Sequence, residues 1–212
     1  MRTILLFGAL ALGLIAPAIP AHAAGVHLLV RHEVTDYAAW RKSYDAFGAT
    51  QKNLGVGFQA VYQSTDDPND VTVVHDFQSL EKAKAFVASD KLKAAMQESG
   101  VKGAPTVWYT TLTPGASGKS GAVRMFVRHE VADYVAWRKS YDAFAATQKK
   151  LGVTAQAVYQ STDNPNDVTV THDFASVEKA KAFAASPELK SAMQGADVKG
   201  APQIWFTTRA MK

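Results

Sequence analysis

VRHEVTDYAAWRKSYDAF, Val30 to Phe47, returns as VRHEVADYVAWRKSYDAF, Val127 to Phe144. The match extends in both directions without a gap. Residues 26–112 and 123–209 align at a constant offset, and roughly 70% of the aligned positions are identical. The chain therefore reads as one small module written twice. Between the copies, residues 113–122 (TPGASGKSGA) are rich in Gly, Ser and Pro, which leave a backbone extended and mobile, and read as a flexible linker.

Within one copy the hydrophobic period changes along the chain. Val26 to Val34 alternates as a strand does. Tyr37, Trp40, Tyr44, Phe47 and Leu54 then recur at helical spacing, with Asp36 placed as N-cap and Gly55 as the stop. Phe58–Thr65 and Val71–Phe77 are β-rich runs joined by Asp66-Asp67-Pro68-Asn69-Asp70, a composition that favours a tight reversal. That cluster carries no EF-hand pattern and reads as a turn rather than a calcium loop. Ser79 caps a second helix that breaks at Ser89 and restarts through Leu92 and Met96; in the second copy Ser186-Pro187-Glu188 marks the restart more clearly. A VKGAP loop precedes a last strand, Thr106–Leu112. The order βαββαβ is the ferredoxin-like arrangement, an α+β fold with helices on one face of a four-stranded antiparallel sheet. Its other face needs a cover, and the tethered second copy supplies one sheet to sheet.

Parity assigns the faces. Val71, Val73, His75 and Phe77 go toward the helices, as do Leu28, Val30, His32 and Val34. Arg31, Glu33, Gln59, Gln63 and Trp108 are assigned to the interface between the sheets, where Arg31 could pair with Glu130, and Arg128 with Glu33.

The bulk properties narrow the function classes. About 47% of residues are hydrophobic and 20% charged, as in a globular chain, and the net charge of +4 is dispersed among acids along the helices, so nothing points to nucleic acid. With no cysteine there is no disulfide framework, thiolate metal site or thiol nucleophile. Arg2, the apolar run Ile4 to Ile15 and Ala21-His22-Ala23 read as a signal peptide over 1–23, cleaved after Ala23; the run is too short to span a bilayer as a helix. The mature chain is thus expected to be exported, most simply to the periplasm, without a membrane anchor.

The stretches VRHEV-DY-AWRKSYDAF, DDPND, SLEKAKAF and GVKGAP resemble the small proteins of the dimeric α+β barrel superfamily, near the antibiotic biosynthesis monooxygenase (ABM) domain family, over essentially all of each copy. The resemblance implies two ferredoxin-like modules packed as an intramolecular barrel, with substrate or haem held in the cleft between helices and sheet. Members include cofactor-independent monooxygenases, haem-degrading enzymes, isomerases and proteins without assigned activity.

His75 and His172, on the helix-facing side of the third strand of each copy, are candidate general bases or axial haem ligands, with a hydrogen-bonded core histidine as the plain alternative. His32 and His129 share that face but sit at the other end of a neighbouring strand, too far away to chelate one metal with them, and no metal site is expected. The stripe Tyr37, Trp40, Tyr44 in the first copy and Tyr134, Trp137, Tyr141 in the second, with Tyr62, Tyr109 and Tyr159, could line a pocket for a flat ligand while also serving as core. Templates for serine hydrolases, phosphate loops, dinucleotide folds and zinc proteases are missing. Three readings stay open: binding of a small aromatic or hydrophobic molecule, with oxidation that needs no cofactor; a haem-binding or haem-degrading protein using His75 and His172; or a non-catalytic structural or stress-related module with filled clefts.

Overall fold

The computed structural model describes residues 25–210; the expected signal peptide lies outside them. Module 1 runs β1 (Val26–Val34), α1 (Tyr37–Ala46), α2 (Gly48–Asn53), β2 (Gln59–Ser64), β3 (Asp70–Phe77), α3 (Leu80–Val87), α4 (Asp90–Glu98) and β4 (Val101–Leu112). A two-residue strand β5 (Ser117–Gly118) follows. Module 2 repeats the plan as β6 (Val123–Val131), α5 (Tyr134–Ala143), α6 (Ala145–Lys150), β7 (Ala155–Ser161), β8 (Asp167–Phe174), α7 (Val177–Ala184), α8 (Pro187–Gly195) and β9 (Val198–Arg209).

The start signals read from sequence hold. Asp36 accepts a hydrogen bond from the Ala39 N–H at 2.7 Å, and Ser79, Ser89 and Ser186 cap α3, α4 and α8 in the same way. Gly55 ends α2 with φ at +96°, a conformation open to glycine at no steric cost. The single helix expected from Tyr37 to Leu54 is instead two, α1 and α2, broken at Phe47. The DDPND turn also positions a helix, because Asn69 Oδ1 accepts from the Tyr37 N–H at 3.0 Å.

The strand order is β4-β1-β3-β2-β9-β6-β8-β7, and β7 pairs back to β4, so eight antiparallel strands close into a barrel. Closure removes the open sheet edges that would otherwise invite association. The 113–122 stretch lies along β7: Thr113 N–H donates to Val158 O, Lys119 N–H donates to Thr154 O, and β5 pairs with Gln156 and Ala155.

The barrel interior is built reciprocally. Leu29, Ala60, Tyr62 and Trp108 from module 1 meet Phe126 and Trp205 from module 2. Trp108 Nε1 donates to Thr169 Oγ1 at 3.1 Å and Trp205 Nε1 donates to Thr72 Oγ1 at 3.0 Å. Arg31 lies over the Trp205 ring at 4.7 Å and Arg128 over Trp108 at 4.8 Å. These arginines do reach the interface, but they pair with Asp70 and Asp167 of their own modules, not with Glu130 and Glu33. The reason is register: β1 sets Glu33 opposite Asp70, two residues along the same face from Arg31.

Two further expectations change. Gln59 sits opposite His75 and Gln63 opposite Val71, so both face the helices and Ala60 and Tyr62 face the barrel interior. VKGAP is part of β4 rather than a loop. Arg31 pairs with Thr106 and Glu33 with Lys102, so Gly103-Ala104-Pro105 bulges out where a proline has no ladder hydrogen bond to give.

Candidate functional site

Each module encloses a small cavity between helices and sheet. In module 1 it measures about 60 Å³, walled by Val30, His32, Val73 and His75 from the sheet, Trp40 and Tyr44 from α1, Gln51 from α2 and Leu92, Ala95 and Met96 from α4. In module 2 the equivalent cavity measures about 40 Å³, around His129, Trp137, Tyr141, Gln148, His172, Leu189 and Met193. Strand parity aims the histidines inward, and the α1 and α5 stripes close the wall opposite them.

The aromatic wall is a stack. Trp40 lies on Tyr44 with centroids 5.0 Å apart, Tyr44 lies nearly parallel to His75 at 6.1 Å, and His32 meets Trp40 at 5.5 Å. Module 2 repeats it with Trp137, Tyr141, His172 and His129. The Tyr44 hydroxyl donates to Gln59 Oε1 at 2.8 Å and lies 2.9 Å from His75 Nε2. With the phenol proton directed at Gln59, His75 carries its own proton on Nε2, and its Nδ1 is an acceptor with no partner. Tyr141, Gln156 and His172 form the same relay.

His32 and His129 make no hydrogen bond at all, although both are buried: neither Nδ1 nor Nε2 has a partner, and Gln51 Oε1 and Gln148 Oε1 are unpartnered too. Buried polar groups are nearly always paired, and each unpaired one costs about 1–3 kcal/mol. Burial in this apolar lining holds all four imidazoles neutral. It lowers His32, His75 and His129 to about 4, against weaker opposing pulls from Asp70, Asp76 and Asp167 respectively, and His172 to about 3, with His129 adding to the effect. Burial likewise raises the Tyr44 and Tyr141 hydroxyls above their usual value. Per module, a neutral imidazole with one donor and one acceptor, a second imidazole nitrogen and an amide oxygen are thus left around one small space.

Of the aromatic residues singled out in the sequence, Trp40, Tyr44, Trp137 and Tyr141 line the cavities together with His75 and His172. Tyr37 and Tyr134 pack behind the tryptophans at 5.8 and 5.9 Å. Tyr62 is inside the barrel, where its hydroxyl accepts from Arg124 Nη1 at 2.7 Å, and Tyr159 stands edge-on to His27 across the modules; neither reaches a cavity. Tyr109 lies under Lys84, also outside the cavity wall. Gln51 and Gln148 were missed in the sequence, though a signal existed: Gln51 follows Phe47 by four and precedes Leu54 by three, a polar residue in an apolar helical stripe.

No protein-family model matches the chain, and no curated protein matches it in sequence. Its fold matches solved structures. An anthrone oxidase-like protein aligns with a TM-score of 0.65 at 13% identity, covering 89% of this chain and 92% of that one. An uncharacterised ferredoxin-fold protein related to antibiotic biosynthesis monooxygenases, from Listeria monocytogenes, gives 0.51 at 10% identity over 91% and 99%. A mutant chlorite dismutase from Candidatus Nitrospira defluvii gives 0.54 at 10% identity over 88% and 92%. All three span both modules, and at these identities they establish the α+β ferredoxin-like fold.

Proposed function

We propose that the chain is an exported, ABM-like ligand-binding protein whose two helix–sheet cavities each take a small hydroxylated aromatic molecule. One observation carries the proposal: His32 and His129 are buried with both ring nitrogens unpartnered, on the wall of an otherwise apolar cavity. A phenolic hydroxyl donates one hydrogen bond and accepts one, which is what a neutral imidazole and its neighbouring acceptors lack. Trp40 and Tyr44 supply faces for the ring.

Size decides how such a ligand enters. About 60 Å³ holds roughly two waters, whereas a cavity on the order of 150 Å³ is needed for a benzene ring. The wall that can yield is α4, which buries none of its residues and lines the cavity with Leu92, Ala95 and the flexible Met96. In module 2 the equivalent α8 is pinned by buried Leu189, so module 1 fills first.

The same magnitudes separate binding from chemistry. A base held near 4 faces an unfavourable transfer of about six pK units, roughly 8 kcal/mol, from a phenol near 10, so proton abstraction is not what this environment favours. Haem calls for an apolar slot of several hundred Å³, against a cavity of about 60 Å³, so the size of the site favours a small ligand over haem.

Titration with p-cresol and with toluene, followed by tryptophan fluorescence, tests the proposal. p-Cresol should bind at least about tenfold more tightly than toluene, and replacing His32 and His129 together by Phe should erase that difference. Equal affinities for both ligands in the unaltered protein would refute it.

A further inference from the structure

The cavity of module 2 has a larger space on the far side of its α8 wall. A groove of about 420 Å³ is lined chiefly by Ala184, Leu189, Met193, Val198, Pro202 and Ile204, from the end of α7, α8 and β9. Leu189 and Met193 also wall the inner cavity of about 40 Å³ beside His129 and His172, so these two side chains are what separates the two spaces. The sequence opens the groove at β9. Between Arg128 and Glu130 the partner residue jumps from Gln203 to Lys199, so Gly200-Ala201-Pro202 bulges out of the ladder. A Cβ added at Gly200 would meet no atom within 4 Å, so the space is open on this side.

The lining calls for an apolar occupant. Ser186 brings a hydroxyl to the groove, but that hydroxyl is already used: it donates to Phe183 O at 2.8 Å and accepts from the Leu189 N–H at 3.2 Å. Lys190 and Gln194 are exposed at the rim, where their polar ends stay in water. The divider is firm in one part and yielding in the other. Leu189 is buried and holds α8 against the core, whereas Met193 is half-buried, unbranched and adaptable. The end of the chain is remote from the groove. Ala210 follows Ile204 by six residues along the line of β9, on the order of 20 Å, so the two residues after it are too few to cover the groove.

We infer that cavity and groove are one site, and that its ligand in module 2 is a phenol carrying an unbranched apolar tail para to the hydroxyl. The inference rests on the reading that the inner cavity takes a hydroxylated ring, and it names what lies beyond that ring. Neither space is enough alone: about 40 Å³ does not hold a ring that needs on the order of 150 Å³, and the groove has no unused polar group for a hydroxyl away from its rim. Joined, they fall in the range of roughly 300–1,000 Å³ usual for small-molecule sites. Met193 swings aside, the ring enters beside Trp137 and Tyr141, and the tail lies against Ala184, Val198 and Ile204. With the hydroxyl held at the histidines and the exit past Met193, the tail leaves from the ring carbon opposite the hydroxyl.

The test uses the full chain with isotope-labelled methionine methyl groups followed by NMR, because Met193 reports on module 2 separately from Met96 in module 1. The ligands are p-cresol, p-ethylphenol, p-propylphenol and p-butylphenol. The affinity read from the Met193 signal should rise about threefold to fourfold with each added methylene. Ala184→Leu, which fills the groove at a position outside the cavity wall, should keep the affinity for p-cresol and cancel most of that rise. Ala184→Val, which carries the side chain that module 1 has at Val87, should cancel part of it. A flat series in which p-cresol still shifts Met193 overturns the inference and leaves the phenol reading standing, as does a response at Met96 alone. A rise unchanged in both variants overturns it as well. If no phenol shifts either methionine, the phenol reading itself fails and the inference falls with it.

Discussion

Acidification to pH 5 should bring the folded protein close to its stability limit, and the four cavity histidines should be the cause. Each is lowered from an ordinary value near 6.5, His32, His75 and His129 to about 4 and His172 to about 3. Between these limits the unfolded chain binds protons that the native state refuses. Stability therefore rises with pH in that window: it is fully present above about 6.5 and is lost as pH falls toward 4. At pH 5 one such group costs about 2 kcal/mol relative to pH 7, and the four together about 8 kcal/mol, against a typical total stability of about 5–15 kcal/mol. Urea denaturation at pH 7, 6 and 5, read by tryptophan fluorescence, should show the midpoint falling steeply. Replacing His32 and His129 by Phe removes two of the four groups and should halve the fall. If the midpoint is unchanged from pH 7 to 5 while the imidazole NMR signals of the native protein titrate near 6.5, the buried-neutral description of the cavities is wrong.

Two other perturbations probe the barrel interior. Arg124→Met should destabilise by about 3–5 kcal/mol, because Asp173, with a side chain only 3% exposed, loses a bidentate partner at 2.6 and 2.9 Å and Tyr62 loses its donor; thermal melting reads this directly. Thr72→Val leaves the Trp205 N–H without an acceptor and should cost about 1–3 kcal/mol in urea denaturation, as should Thr169→Val for Trp108.

Much of this architecture is legible in the sequence because local signals and the repeat agree. Asp36, Ser79 and Ser186 read as caps from residue type and spacing alone, Ser89 reads only as a helix break whose capping bond the structure adds, and parity on β1 and β3 sends His32 and His75 to the helix side because the alternating apolar residues leave one choice. On β2 the signal fails. Gln59, Val61, Gln63 and Ala60, Tyr62, Ser64 are two mixed faces of similar polarity, and only pairing with β3 decides which one is inside. The cavity was half legible for a related reason: an aromatic stripe shows where a wall is, but not that His32 and Gln51 lack partners, which depends on how closely α2 and α4 approach the sheet.

The duplication itself makes the last prediction. Module 1 alone has an uncovered face of Leu29, Ala60, Tyr62, Val74 and Trp108 and two unpaired edges, β2 and β4. In the full chain β9 and β7 satisfy those edges, and β9 and β7 are the module 2 counterparts of β4 and β2. A second copy of module 1 therefore offers the same complement, with Trp108 and Thr72 identical to Trp205 and Thr169 at the reciprocal hydrogen bonds. It does not offer Arg124, whose place is taken by His27, so Tyr62 would meet an imidazole rather than a guanidinium. Residues 25–122 expressed alone should thus form a symmetric homodimer that is less stable than the fused chain and dissociates on dilution with unfolding, measurable by sedimentation and circular dichroism across protein concentration. A folded monomer of that segment, stable at every concentration, would show that the barrel interior is not what holds each module together.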